Sequence, residues 1–310
     1  MTKPDKGPTS RAGRIDEATG TSTVGHEWDG IEELDTPMPR WWLIALYITI
    51  VWGVIYVVLY PAWPLVHGAT QGVLGWSSRG QLAQEMEREN DRRAPFLAAL
   101  AATPIENLPE NPDLMRQAVA GGRAAFRVNC VQCHGAGAAG GAGYPNLNDD
   151  DWLWGGDLQS IERTIAHGTR QPGDSETHTS FMPAFGDGIL TTAQMGQVAD
   201  HVLSLSGKAR DNAAGARLFA DNCAVCHGAD GHGSRAVGAP NLADAIWLYG
   251  GKKRDIVAQI AHPRHGVMPA WQGRLDPATI RMLAAYVHSL GGGEAFAEAA
   301  APPAESDDAS

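Results

Sequence analysis

The chain has 310 residues, 44% hydrophobic and 19% charged, which excludes a wholly disordered protein and allows two or three folded units. A formal net charge of −11 argues against a nucleic-acid binder, whose domains are basic. All four cysteines lie in two Cys-x-x-Cys pairs, so no lone thiol remains to act as a nucleophile.

Residues 1–40 form a polar arm with 5 basic and 8 acidic side chains. From Trp41 to Val66 the chain is apolar, and no Asp, Glu, Lys or Arg occurs between Arg40 and Arg79. This predicts a transmembrane helix over 41–65, since Trp41 to Trp63 as a helix would measure roughly 35 Å. Trp41 and Trp42 at one end, and Tyr60 and Trp63 at the other, stand where interfacial rings collect. Pro61 and Pro64 mark the helix stop. A cleavable signal peptide is not expected, because the apolar run is too long and follows a net-acidic arm. Residues 66–112 read as a spacer, helical and charged around Glu85–Arg93.

The remainder repeats itself. Cys130-Val-Gln-Cys133-His134 returns 93 residues later as Cys223-Ala-Val-Cys226-His227. Pro145-Asn146-Leu147 and Trp152-Leu153-Trp154-Gly155-Gly156 return at an offset of 95 as Pro240-Asn241-Leu242 and Trp247-Leu248-Tyr249-Gly250-Gly251. Ile161, Ile165 and His167 return at the same offset of 95 as Ile256, Ile260 and His262. Met182-Pro183-Ala184-Phe185 returns 86 residues later as Met268-Pro269-Ala270-Trp271. Such ordered landmarks predict two small domains, 113–206 and 207–293, with an acidic, disordered tail over 294–310. The first domain segment carries a net charge of −5 and the second +4. An acidic first domain would suit docking of a cationic donor.

Cys-x-x-Cys-His is the attachment signature of c-type haem. Two thiols bond the two haem vinyl groups, and the adjacent imidazole meets the iron. A thioredoxin-like site would need a βαβ context, and a zinc ribbon would leave both histidines unexplained. Two covalent c-type haems are therefore expected, held by Cys130 and Cys133 with His134, and by Cys223 and Cys226 with His227. Gly122 and Phe126 precede the first motif, and Gly215 and Phe219 the second, at matching spacings that suit a helix crossing another closely. The crossing partners are the terminal helices around Ala193–Leu205 and Pro277–Leu290.

This pattern resembles class I cytochrome c. The fold class expected is mainly α: a single N-terminal transmembrane helix followed by two tandem class I cytochrome c domains. The resemblance makes Met182 the sixth iron ligand in the first domain and Met268 in the second. A thioether there favours Fe(II) and raises the potential. His167, His178, His262 and His265 are rival ligands; His167 and His262, in register, suggest a shared role near a haem edge or propionate. Pro145 and Pro240 match the family's proline whose carbonyl takes the proximal histidine's N–H. His201 stands where the family has an aromatic residue, which Tyr286 supplies in the second domain.

The arm segment His26-Glu-Trp28-Asp29-Gly30-Ile31-Glu32-Glu33-Leu34, with Pro37-Met-Pro39-Arg40-Trp41-Trp42 and Tyr60-Pro61-Ala62-Trp63-Pro64, is similar to the start of the dihaem subunit of cbb3-type cytochrome c oxidase, the CcoP/FixP family. The resemblance runs from His26 to about Gly291. It implies an electron-transfer subunit of an oxidoreductase complex with no catalytic centre of its own. Implied partners are a donor cytochrome c, a monohaem cytochrome c subunit, the catalytic haem–copper subunit and the lipid bilayer. It also implies a single-pass protein of the bacterial inner membrane, with a cytoplasmic N-terminus and periplasmic haem domains. The alternatives are a membrane-anchored dihaem carrier, the haem subunit of a periplasmic dehydrogenase, or a structural anchor.

Overall fold

A computed structural model describes residues 13–296, which divide between two compact units at Asn90/Asp91. In the first unit, β1 (Thr23–Trp28) and β2 (Ile31–Leu34) form an antiparallel hairpin. Its two-residue turn is Asp29-Gly30, with φ of 49° and 87°, the left-handed pair that matches strand twist. Helix α1 (Arg40–Leu59) follows, with no residue buried, and it is long and apolar enough to cross a membrane. It ends earlier than the expected Leu65. Tyr60, before Pro61, is driven extended at φ −121° and ψ 160°. A short hairpin, β3 (Pro64–Leu65) with β4 (Gly68–Ala69), occupies the rest of the expected span. Helix α2 (Ser78–Ala102) contains the charged spacer.

The second unit holds both haem motifs. A 3-10 turn (Ile105–Glu110) leads to α3 (Pro112–Asn129), capped by the Asn111 side chain on Leu114 N–H at 3.1 Å. Leu114, Ala118, Gly122 and Phe126 recur every fourth residue and form its buried ridge. A single turn, α4 (Val131–His134), carries the first motif. Then come α5 (Leu158–His167), capped by Asp157, and α6 (Thr192–Leu205), opened by a capping box of Thr191 and Gln194. The second repeat gives α7 (Ala213–Asn222), the motif turn α8 (Ala224–His227), α9 (Lys253–Ala261) and α10 (Pro277–His288).

The packed cores do not follow the sequence segments 113–206 and 207–293. Helix α3 of the first repeat crosses α10 of the second, and α7 of the second crosses α6 of the first. At the first crossing a Cβ on Gly122 would lie 1.9 Å from the Met282 carbonyl oxygen; at the other, a Cβ on Gly215 would lie 2.1 Å from that of Gln197. Only glycine permits either approach. Phe126 meets Tyr286 with ring centroids 5.3 Å apart, and Phe219 meets His201 at 5.2 Å. The expected crossings therefore form, but with exchanged terminal helices, as in domain swapping within one chain.

The loops exchange in the same way. Trp271 N–H donates to the Ile165 carbonyl at 3.1 Å, and Phe185 N–H to the Ile260 carbonyl at 3.2 Å. One core thus gathers α3, α5 and α10, together with Leu100 from the end of α2 and Leu108 from the 3-10 turn. The other gathers α6, α7 and α9. Arg281 ties the first core to the end of the spacer, donating to the carbonyls of Leu100 and Thr103 at 2.9 Å each and to Glu162 at 3.1 Å.

Two sequence expectations change in consequence. Grouped by core, residues 91–169 with 266–296 carry 8 basic and 11 acidic side chains, and 170–265 carry 9 of each. The opposition of −5 and +4 disappears, and with it the premise for docking a cationic donor on an acidic first domain. Glu294, expected in the disordered tail, is instead held by hydrogen bonds with Gly156 (its N–H to the carbonyl at 2.9 Å, its carboxylate accepting from the N–H at 2.8 Å). The rest of that tail, 297–310, lies outside the described residues.

Because α10 completes the first repeat's core, a fragment of residues 91–206 should show no cooperative urea transition by circular dichroism, whereas 91–296 should show one. A cooperative transition in the shorter fragment would mean that the first repeat closes its own core.

Candidate functional site

Each haem motif sits where one helix stops and a single turn follows. The α3 and α7 caps, Cys130 and Cys223, have helical φ and ψ, so the next turn carries Cys133 and His134, or Cys226 and His227, onward on the same side. Gly135 and Gly228, at φ 78° each, then turn the chain away. Cys223 is buried and Cys130 half-buried, while Cys133 and Cys226 are exposed. None of the four is in a disulfide.

The Nδ1 of His134 lies 3.1 Å from the Pro145 carbonyl, and that of His227 lies 3.2 Å from the Pro240 carbonyl. A carbonyl only accepts, so Nδ1 carries the proton in both rings and Nε2 keeps its lone pair. Burial holds both imidazoles below the usual histidine range, so each stays neutral, the metal-ligating form. Burial, followed by the neighbouring cysteine, pushes the Cys130 and Cys223 thiols up to about 11.

A cleft of about 460 Å³ opens beside His227, within the range of small-molecule sites. Cys223 and Cys226 line it, with Phe219, Val198, Val202, Ile256 and Ile260 as apolar wall. Its methionine is Met182, which comes from the first repeat. Conversely, Met268 packs in the core of Phe126 and Cys130, beside the first motif. The methionines therefore stand opposite the pairing expected from sequence, because each travels with the loop and terminal helix that are exchanged. Thr169 holds Met268 in place through two backbone hydrogen bonds of 3.0 Å each.

The residues fit a haem. The Trp247 indole N–H is buried in the cleft wall without a hydrogen-bond partner, whereas its repeat mate Trp152 donates to the Gly292 carbonyl at 2.6 Å. A cofactor carboxylate is the acceptor such a donor lacks. Arg170, with φ 54°, also lines the cleft; its guanidinium donates to the Gly266 and Ser180 carbonyls at 2.7 and 3.1 Å. Among the described residues it has no carboxylate partner. Nothing in the sequence reading singled out Arg170; only the exchange brings it to the cleft.

The rival histidines separate. His265 alone of the four lines the cleft, its ring 5.2 Å from that of Phe181. His178 stacks on Trp154 at 4.3 Å with Nε2 3.1 Å from Thr164 Oγ1. The register of His167 and His262 does not extend to a shared setting. His167 faces Asp174 at 3.3 Å and Glu176 at 3.6 Å, while His262 is 74% exposed and 3.9 Å from Asp187. His201 pairs with Asp211 at 3.1 Å against the Phe219 ring, a packing position.

Comparison with known proteins gives one answer along the chain. Residues 20–67 match the family described as the N-terminal domain of cytochrome oxidase-cbb3, FixP. Residues 119–206 match cytochrome c, and 210–287 match cytochrome C oxidase, cbb3-type, subunit III. The chain is 54% identical over 276 residues to the cbb3-type cytochrome c oxidase subunit CcoP of Cereibacter sphaeroides, covering 88% of this chain and 95% of that one. It is 53% identical to the FixP subunits of Sinorhizobium medicae and Azorhizobium caulinodans, over 90% of this chain and 98% and 96% of theirs.

At one edge of the cleft, Asp151 is pushed up to about 6, first by burial, then by Asp244, Asp149 and Asp150, with Arg235 opposing. Its carboxyl ionises near 3.8 when free of these neighbours, so the unfolded chain loses the proton first. The folded state therefore bears a cost that is full above about pH 6 and gone below about 3.8. Asp151→Asn should raise the urea midpoint of the haem-loaded chain at neutral pH, with the gain shrinking as pH falls through that window. A gain independent of pH would assign it to packing instead.

Proposed function

The chain belongs to the CcoP/FixP subunits of cbb3-type cytochrome c oxidases, and from that premise we propose that it carries two covalent c-type haems and relays electrons across them in an oxidase complex. It is an electron-transfer subunit of an oxidoreductase complex, mostly helical, with two cytochrome c domains. The observation that carries the reading is the pair of Cys-x-x-Cys-His turns, each histidine oriented by a proline carbonyl, with a methionine brought to the same core.

When bound, c-type haem supplies one-electron exchange between Fe(II) and Fe(III). Cys130 and Cys133, and Cys223 and Cys226, would hold the two groups by thioethers. The carbonyls of Pro145 and Pro240 hold Nδ1 of the His134 and His227 rings, so that Nε2 would be the ligand atom. Met268 would complete the site of His134, and Met182 that of His227. Met182 and Met268 would keep water and oxygen from the iron, so that the chain would pass electrons and leave oxygen reduction to another subunit. The indole N–H of Trp247 and the Arg170 guanidinium would hold a carboxylate of the group beside His227.

Helix α1 has the length and composition of a single membrane span. Since c-type haem is attached outside the cytoplasm, the two cytochrome c domains would be periplasmic and the arm cytoplasmic. The partners in this reading are a donor cytochrome c, a monohaem cytochrome c subunit and the catalytic haem–copper subunit.

Extraction in mild detergent through a tag on this chain should yield cyanide-sensitive oxygen uptake with reduced cytochrome c, together with b-type haem. Two covalent haems without b haem or oxygen uptake, from membranes that respire, would favour a free carrier or a dehydrogenase subunit. The ligand pairing has its own test. In a chain whose second attachment site is removed by Cys223→Ala and Cys226→Ala, Met268→Leu should abolish the sulfur-to-iron charge-transfer band and Met182→Leu should leave it. The reverse pattern would restore ligation within each repeat.

A further inference from the structure

Beyond α1 the chain folds back on the helix it has just left. Val73 N–H donates to the Val58 carbonyl at 2.9 Å, and Leu74 N–H to the Leu59 carbonyl at 3.2 Å. Gly72 makes this possible, because a Cβ there would lie 2.1 Å from the Leu59 carbonyl oxygen. The Tyr60 and Trp76 rings meet edge to face at 5.8 Å. Between them β3 pairs with β4, Trp63 N–H donates to Thr70 Oγ1 at 3.1 Å, and Thr70 N–H returns to the Trp63 carbonyl at 2.9 Å. Two of the last carbonyls of α1, and much of the hairpin backbone, are thus paired inside the segment.

The side chains do the opposite. Val66 is 93% exposed and Val73 78%, and Trp63, Leu65, Leu74 and Trp76 are exposed with them. No Asp, Glu, Lys or Arg occurs between Arg40 and Arg79. An internally paired backbone with apolar side chains turned outward is poorly suited to water and well suited to a phase with little of it. The depth of that phase is set by the hydrogen bonds, which tie residues 73–74 to the end of the helix. A 20-residue helix is about 30 Å long, so its end lies at the edge of the hydrocarbon, where Trp and Tyr rings gather.

We propose that residues 60–76 are a membrane-interface anchor, lying in the boundary between lipid headgroups and acyl chains at one end of α1. The proposal rests on α1 being a membrane span. It gives the chain a lateral contact with lipid that resists sliding of the helix along the bilayer normal, and it fixes the depth at which α2 begins. Having no Lys or Arg, the anchor needs no anionic lipid.

The test places nitroxide labels on Val66→Cys and Val73→Cys in the full haem-loaded chain, assembled in its oxidase in lipid nanodiscs. Val51→Cys in the middle of α1 and Gln84→Cys on α2 serve as references. Accessibility to dissolved O2 should rise, and accessibility to water-soluble Ni-EDDA fall, from Gln84 to the two hairpin labels, with Val51 at the apolar extreme. Hairpin labels as open to Ni-EDDA as Gln84 would overturn the anchor. So would hairpin labels closed to both reagents, which would mean that another protein subunit covers them. Entry of Ni-EDDA at Val51 would instead overturn the span itself.

Discussion

The arrangement of the second unit depends on two helix crossings at van der Waals contact, Gly122 under Met282 and Gly215 under Gln197. At neither point is there room for a methyl group, so the backbone of each motif-bearing helix touches the backbone of a terminal helix. Those contacts organise the rest of the unit. They set the direction in which the Cys-x-x-Cys-His turn leaves its helix, and they bring the methionine loop that precedes each terminal helix against the same core. Because the crossings are made with exchanged helices, the loops and methionines are exchanged too. The overpacking that any larger side chain would cause, roughly 1–3 kcal/mol, is large against the marginal stability of a small domain.

Much of the site was legible in the sequence. The glycine–phenylalanine spacing and the landmark prolines each have a short-range physical reason, and the structure puts each beside the neighbour that reason requires. What the sequence left open was which copy supplies which partner. Two similar repeats offer nearly the same chemistry twice: each motif-bearing helix presents a glycine and a phenylalanine, and each terminal helix a ring, Tyr286 in one and His201 in the other. One local signal bears on the choice. Gly121 stands beside Gly122, whereas the matching position is Ala214, and a Cβ on Gly121 would lie 2.3 Å from Met282 Sδ. The double glycine thus suits the terminal helix that carries Met282 rather than the one that carries Gln197. The Asp29-Gly30 hairpin was missed, since residues 1–40 were read only as a polar arm, although its turn residues carry the signal. The return of residues 60–76 onto α1 has no such signal, since it rests on backbone hydrogen bonds and a single glycine.

Charge illustrates the same lesson. Net charge belongs to a folded surface and not to a stretch of chain, so assigning it by repeat presumed that each repeat folds on itself. Once the second terminal helix joins the first core, the two charges nearly even out, leaving 8 basic and 11 acidic side chains on one side and 9 of each on the other. What remains is local. Asp149, Asp150, Asp151 and Asp244 crowd one rim, with Arg235 and its partner Glu294 nearby, and burial with that crowding raises both Asp149 and Asp151, Asp151 to about 6.

The exchange also makes the two sites one mechanical object. Thr169 exchanges both backbone hydrogen bonds with Met268, the methionine of the first core, while the next residue, Arg170, sends its guanidinium into the cleft of the second. One peptide unit therefore touches both sites. Arg170 is further pinned by the Gly266 carbonyl, two residues before Met268, so a shift of that methionine loop moves the cation facing the other cleft. With a haem bound there as proposed, a half-buried positive charge would disfavour the form with more positive charge, and its distance would set how strongly. In independent domains the ligand strength at one site and the electrostatics at the other would vary separately. Here they share Thr169 and Arg170, so substitutions in either methionine loop are expected to be non-additive across the pair, as contacts within one network are.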